Sequence, residues 1–219
     1  MLDSMQLVSV NVGQVTSIVH GKKAIRTGIC KMPVQGPVRV GELGIQDDVI
    51  VDMQEHGGAD QAIYAYSSDD YDWWREETNR EYVPGTFGEN LTIRGMPSDM
   101  IIGDRLLIGE VVFEATAPRI PCSTLATRMQ DTGFGLAFRK AERPGIYFRV
   151  LNAGLISAGD AVTYIASEAS SVSVLELFRS HYALRHDAVQ LQRFLDVPIA
   201  VRFRDAILAR LEKTTNEQD

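Results

Sequence analysis

Cysteine is scarce in this 219-residue chain: Cys30 and Cys122 lie far apart and make no CxxC pair and no zinc-ligand spacing. That argues against a disulfide framework and leads us to expect a reducing, cytoplasmic setting. A basic excess is missing as well. The net charge is −7, which speaks against nucleic acid as a main partner, because phosphate backbones require a basic face. A small anionic ligand held by a few local arginines stays compatible with it. No apolar run approaches membrane-spanning length, and Met1 to Val12 has no basic segment followed by an apolar core, so no membrane partner and no leader are expected. Flavin, haem, iron–sulfur and Rossmann signatures are lacking too. Any redox chemistry therefore needs a separate electron donor.

What is present is a core-forming composition, 45% hydrophobic with 18 glycines, enough for one sizeable core and a small appendage. Short strand-like runs separated by glycine turns fill the first three quarters of the chain. They include Met5 to Val19 as a strand pair, with Lys22 and Lys23 at its turn, and Ala24 to Ile29. Ala62 to Tyr66, Arg105 to Ala115, Gly145 to Val150 and Gly159 to Ile165 follow. The clearest helix is Ser68 to Thr78, capped by Ser67, with Tyr71, Trp73 and Trp74 read as core and not as a stacking platform. Another is expected over Phe134 to Glu142. This pattern predicts a mainly β fold with some helix, a β-barrel or sandwich over residues 1–166.

Residues 167–219 change character. Ser170, Ser171 and Ser173 offer capping hydroxyls, and Val174, Leu175, Leu177 and Phe178 recur at helical spacing. His186 to Leu195 and Pro198 to Leu211 behave likewise, with Pro198 expected at a first helical position. Three short helices can hardly stand alone, so they must dock on the barrel or on a second subunit, and a homodimer is compatible with either. Their arginines (Arg179, Arg185, Arg193, Arg202, Arg204, Arg210) are balanced by acids and read as a solvated face; Thr214 to Asp219 reads as a tail.

The chain is organised around Ala117-Pro118-Arg119-Ile120-Pro121-Cys122-Ser123-Thr124-Leu125. An apolar strand, Val111 to Ala115, leads in; two prolines stiffen the connection, and Ser123 and Thr124 are good helix starters. Cys122 then stands where a strand hands over to a helix, and both the helix amides and Arg119 favour thiolate over thiol. Such a thiolate can be a nucleophile, a persulfide carrier or a soft-metal ligand, and a buried structural thiol is the plain alternative.

Two further loops carry chemistry. In His56-Gly57-Gly58-Ala59-Asp60-Gln61 the paired glycines can present backbone amides to an anion, with His56 at the lip, or can simply turn the chain before a strand. In Pro84-Gly85-Thr86-Phe87-Gly88-Glu89-Asn90, a carboxylate and an amide can orient a heterocycle, or Asn90 can satisfy a turn.

Lys31-Met32-Pro33-Val34, His56-Gly57-Gly58-Ala59-Asp60-Gln61-Ala62, Phe87-Gly88-Glu89-Asn90-Leu91 and Pro118-Arg119-Ile120-Pro121-Cys122, in that order, resemble MOSC-domain proteins (molybdenum cofactor sulfurase C-terminal domain). With the helical segment Val172 to Leu211 the likeness is to the YiiM-like group and covers nearly the whole chain. The resemblance implies a MOSC-type β-barrel with peripheral helices plus a C-terminal three-helix appendage, and binding of the molybdenum cofactor (molybdopterin). It implies Cys122 as metal ligand or sulfur carrier. Arg119 and Lys31 then become phosphate or pterin contacts, with His56, Gly57, Gly58, Asp60 and Gln61 on one wall and Glu89 and Asn90 on another. Reduction of N-hydroxylated compounds, including hydroxylaminopurines, follows as the implied activity, with electrons from a separate reductase. A persulfide or cofactor-delivery protein and a non-catalytic binding module are the competing readings. One departure stands out: the family's Gly-Asp after the first loop is Asp47-Asp48 here. No Schiff-base lysine suggests pyridoxal phosphate.

Overall fold

The computed structural model describes residues 5–21, 23–168 and 171–216. Strand β1 (Gln6–Gly13) enters the centre of the fold. It pairs antiparallel with β8 (Leu91–Arg94) and with β4 (Lys31–Pro33). A bulge between Leu7 and Ser9 shifts its register, so that Leu7 and Val10 both reach the apolar core. The hairpin β2 (Thr16–His20) and β3 (Lys23–Thr27) stands apart as its own two-stranded sheet. Lys23 pairs with His20 in that ladder instead of occupying the turn, while Lys22 lies outside the described residues.

The main sheet continues through β7 (Ile63–Ser67), β11 (Ile146–Asn152), β10 (Val111–Pro118), β9 (Arg105–Ile108) and β13 (Val162–Ile165). The β7–β8 pair is parallel, so the chain must cross over, and α2 (Ser68–Thr78) makes that crossing. Its cap is the expected one: the Ser67 hydroxyl accepts from the Asp69 amide. The sheet curls until the start of β1 meets the segment leading into β13. Gln6 bridges Ala161, and Leu7 N–H donates to the Asp160 carbonyl at 2.9 Å. The result is barrel-like, closed by this short contact and not by a full ladder. A smaller sheet of β5 (Val38–Gly41), β6 (Gly44–Ile45) and β12 (Gly154–Ile156) covers one end; β12 had no clear sequence signal.

Two apolar clusters result. One fills the barrel. The other is aromatic, with Tyr66 stacked on Phe87 at 4.5 Å and Trp74 beside Phe134 and Phe138. It lies where α2 meets α3 (Ser123–Arg128) and α4 (Phe134–Ala141), as a core role for these rings requires.

The C-terminal helices α5 (Val174–His181), α6 (Ala188–Leu195) and α7 (Val201–Asn216) dock on the barrel and share its core through Val172, Val174, Leu177, Leu191, Phe194 and Ile207. Ser173 caps α5 by accepting from Glu176 N–H. Ser170 and residues 217–219 of the expected tail lie outside the described residues. Pro198 does not open α7, which starts three residues later. Its carbonyl accepts from Arg149, and Ala200 N–H donates to the Thr116 carbonyl, so this segment is stitched to β10 and β11 before the helix can begin.

Candidate functional site

Strand β10 runs through Arg119 to Cys122, which is extended (φ −111°, ψ 167°) and caps α3 with its carbonyl while its side chain makes no capping bond. The thiol is therefore left for other partners. Burial alone pushes its pKa up; the hydrogen bond from His56 and the charge of Arg119 outweigh that and hold it at about 6. Neutral pH therefore favours the thiolate over the thiol at Cys122.

Arg119 is buried under the Tyr64 ring, 5.0 Å from its centroid, and Nη1 donates to the Phe87 carbonyl. Burial works against its charge, yet Tyr147, Tyr64 and Cys122 hold its pKa above the ordinary arginine value. Its Nε is buried without a partner, a donor aimed at something the protein does not supply.

Lys31 forms a second buried cation. Its Nζ sits 2.5 Å from both carboxylate oxygens of Asp48, and burial pulls its pKa down against that pairing. Asp48 also accepts from Gly13 N–H at 2.7 Å and from Asn90 Nδ2 at 2.9 Å, so one aspartate ties the lysine, the first strand and the amide together. The departure at Asp47 is tolerated because this residue takes the left-handed conformation, φ 67°, where aspartate is among the least strained side chains. Close by, Gly28 packs so tightly that a Cβ there would fall 1.8 Å from the Val49 carbonyl oxygen.

The His56 loop opens with α1 (Met53–His56), capped by Asp52, followed by a 3-10 turn over Ala59–Gln61. Gly58 has φ 97°, a conformation that side chains resist. The loop is held from outside by α7. Arg202 donates to Gln61 Oε1 (2.8 Å), the Met53 carbonyl (2.9 Å) and the Gly57 carbonyl (3.4 Å). Asp60 pairs with Arg149 at 3.0 Å and accepts from Val201 N–H. Arg202 and Arg204 are thus fastened to backbone and loop, and do not form the merely solvated face expected of them.

A cavity of about 340 Å³ brings together Lys31, His56, Gln61, Asn90, Arg119 and Cys122. Gly57, Gly58, Asp60 and Glu89 do not line it. Glu89 is fully buried behind the wall, accepting from Tyr71 (2.5 Å), Gly85 N–H (2.7 Å) and Thr92 (2.8 Å), which fixes the 85–88 loop. Tyr64, Tyr147 and residues 25–29, from the end of the hairpin onward, line the cavity without having been singled out, as do Ser123 and Thr124, which the sequence offered only as helix starters. The strand pattern was the only signal for the tyrosines, and it reads equally well as core. A second cavity, about 460 Å³, also reaches Cys122 and His56 and is walled by α7.

Fold and pocket together set the Cys122 thiol beside two buried cations, Arg119 and Lys31, in a barrel-like protein. Residues 52–163 match the MOSC domain family model, and the chain belongs to the MOSC-domain family, a molybdenum-cofactor-associated family. It is 32% identical over 186 residues to the uncharacterized protein YflK of Bacillus subtilis, covering 84% of this chain and 83% of that one. It is 29% identical over 192 residues to YiiM of Escherichia coli, covering 86% and 84%. The crystal structure of YiiM from Geobacillus stearothermophilus matches with a TM-score of 0.78 at 30% identity, over 94% of this chain and 99% of that one. No helix among the described residues is long and apolar enough to cross a membrane.

Proposed function

We propose that this chain binds the molybdenum cofactor in the cavity beside Cys122 and reduces N-hydroxylated compounds, hydroxylaminopurine-type bases among them, with electrons from a separate reductase. The observation that carries the reading is the Cys122 thiolate, held at about 6, set beside Arg119 with its buried, unpartnered Nε. Among the described residues no cluster of three or more His, Cys, Asp or Glu is placed to hold a metal ion. A metal that arrives with sulfur ligands of its own needs little more than one soft donor, and a thiolate is that donor. The residues fit the group.

When bound, the cofactor would supply the redox-active metal that this chain's own residues lack. Cys122 is the protein ligand, and His56 holds a hydrogen bond at its sulfur. Arg119 and Lys31 offset phosphate or pterin charge; Asn90 and Gln61 meet ring edges with their amides. Gly57, Gly58, Asp60 and Glu89 act from behind the wall by fixing the two loops. Burial raises the Tyr64 and Tyr147 pKa values, so both stay neutral hydroxyls. Two free cysteines suit the reducing cytoplasm.

The same low thiol pKa favours a second reading, a persulfide carried on Cys122. Molybdenum and pterin content separates the two. Protein purified from a cofactor-producing host should carry near-stoichiometric metal as wild type and none as Cys122→Ala. Equal absence from both, under conditions that load a known molybdoenzyme, rejects the reductase reading; sulfane sulfur on Cys122 would then mark the carrier.

A further inference from the structure

Three cavities reach Cys122, and the two that also reach His56 differ in origin. The first is built by the barrel and its hairpin alone, with no residue of α5, α6 or α7 in its wall. The second exists only because α7 lies across the His56 loop; it shares Asp52, His56, Gln61, Cys122, Ser123, Thr124 and Tyr147 with the first and adds Arg202, Phe203, Ala206 and Arg210. The two adjoin along that shared wall, and the second reaches the same sulfur from the α7 side.

Its chemistry is uneven. Arg202 bonds to neutral oxygens only, those of Gln61, Met53 and Gly57, so its position is fixed while its charge is not cancelled by a bonded carboxylate. Arg210 brings a second guanidinium to the same helix face. Burial, followed by the charges of Arg210 and Arg139, lowers the His181 pKa, so this histidine adds a neutral imidazole. The acids of the cavity, Asp52 and Glu55, belong to the α1 side beside His56. Ile120, Phe203 and Tyr147 supply apolar and ring surface. Cations on one wall, acids by the histidine and ring faces along the way suit a flat ligand with an anionic end and an N–H-bearing end.

Building on the molybdenum reading, we infer that this second cavity is the substrate site and that it takes aromatic or heterocyclic N-hydroxylated compounds carrying a carboxylate or phosphate. The anionic group lies toward Arg202 and Arg210, and the N-hydroxyl end lies toward His56 and Cys122. Removing the hydroxyl oxygen as water converts N–OH to N–H and consumes two electrons and two protons, the electrons coming from the separate reductase and the protons from solvent.

Calorimetry on the full chain tests this, with benzamidoxime and para-carboxybenzamidoxime as probes and metal content recorded for every sample. The carboxylate probe should bind about tenfold tighter than the neutral one, the gain expected of one charge-assisted contact. Arg202→Gln should erase that preference and Arg210→Gln should reduce it, which keeps the test open if the Arg202 variant fails to fold. Ala206→Trp, which fills the cavity from an exposed helix position, should weaken both probes about tenfold or more with metal content unchanged. Equal affinity for the two probes, no effect of Ala206→Trp, or no binding of either probe overturns the inference. Probe binding with the expected preference by protein that stays metal-free in a cofactor-producing host would leave the cavity assignment standing, while the absent metal, and not the binding, would reject the molybdenum reading.

Discussion

Glu89 shows how much one carboxylate does out of sight of the cavity. Tyr71, Gly85 and Thr92 all donate to Oε1, while Oε2 is buried without a partner. Truncation to alanine orphans those donors, and Glu89→Ala should cost about 3 kcal/mol or more, measured by urea unfolding. The pH dependence runs opposite to that of a salt-bridged acid. Burial raises the folded pKa above 4.5, against the pull of the three hydrogen bonds. The contribution of Glu89 is therefore complete below the ordinary carboxyl pKa and is lost as pH rises through the raised one. Glu89→Gln has no proton to lose, so the stability of wild type relative to this variant should fall as pH climbs above the ordinary carboxyl pKa. A gap that stays flat with pH means the carboxyl is not perturbed. At Cys122 the expected readout is alkylation in a Cys30→Ser background: half-maximal near pH 6, and shifted up toward the ordinary value of 9.0 by His56→Ala.

Among the elements, α7 is fastened to the His56 loop through its first turn. Asp60 accepts from Val201 N–H and pairs with Arg149, each partner of that pair being mostly buried. Asp60→Ala should cost about 1–3 kcal/mol and raise amide exchange at the start of α7, with the barrel amides unchanged. This junction is also where sequence reading stops. The strand–Cys122–helix junction was legible because prolines, hydroxyls and an apolar run each have a fixed local meaning. Lys31, His56, Gln61, Asn90, Arg119 and Cys122 could be named from their motifs, and the fold brings them to one cavity. Arg202 could not, because helical spacing shows which face is polar and not what that face meets. Tyr64 and Tyr147 went unnoticed because alternation in a strand does not separate a barrel core from a pocket wall. Pro198 misled for a similar reason: its value at a helix start is local, and the bonds to Arg149 and Thr116 that decide its place are not.

At the scale of the whole molecule, a division at residue 166 separates what the packing joins. Val172, Val174, Leu177, Leu191, Phe194 and Ile207 are each at most 1% exposed and belong to the same cluster as the barrel strands. At about 1.5–3 kcal/mol for each buried aliphatic or aromatic side chain, their burial is worth on the order of 10 kcal/mol, comparable to the whole stability of an ordinary domain. Part of that lies between the helices themselves, yet Val172 and Val174 also carry backbone bonds to Ile102 and Met100 at the barrel edge. A chain ending at Ala166 should therefore lose its cooperative thermal transition and expose apolar surface to a hydrophobic dye, while the full chain melts in one step. A truncated barrel that melts sharply near the full-length temperature would make the helices a true second domain. In that event, loss of probe binding with retention of metal would still follow, because the first cavity needs no helix beyond the barrel and the second is walled by α7.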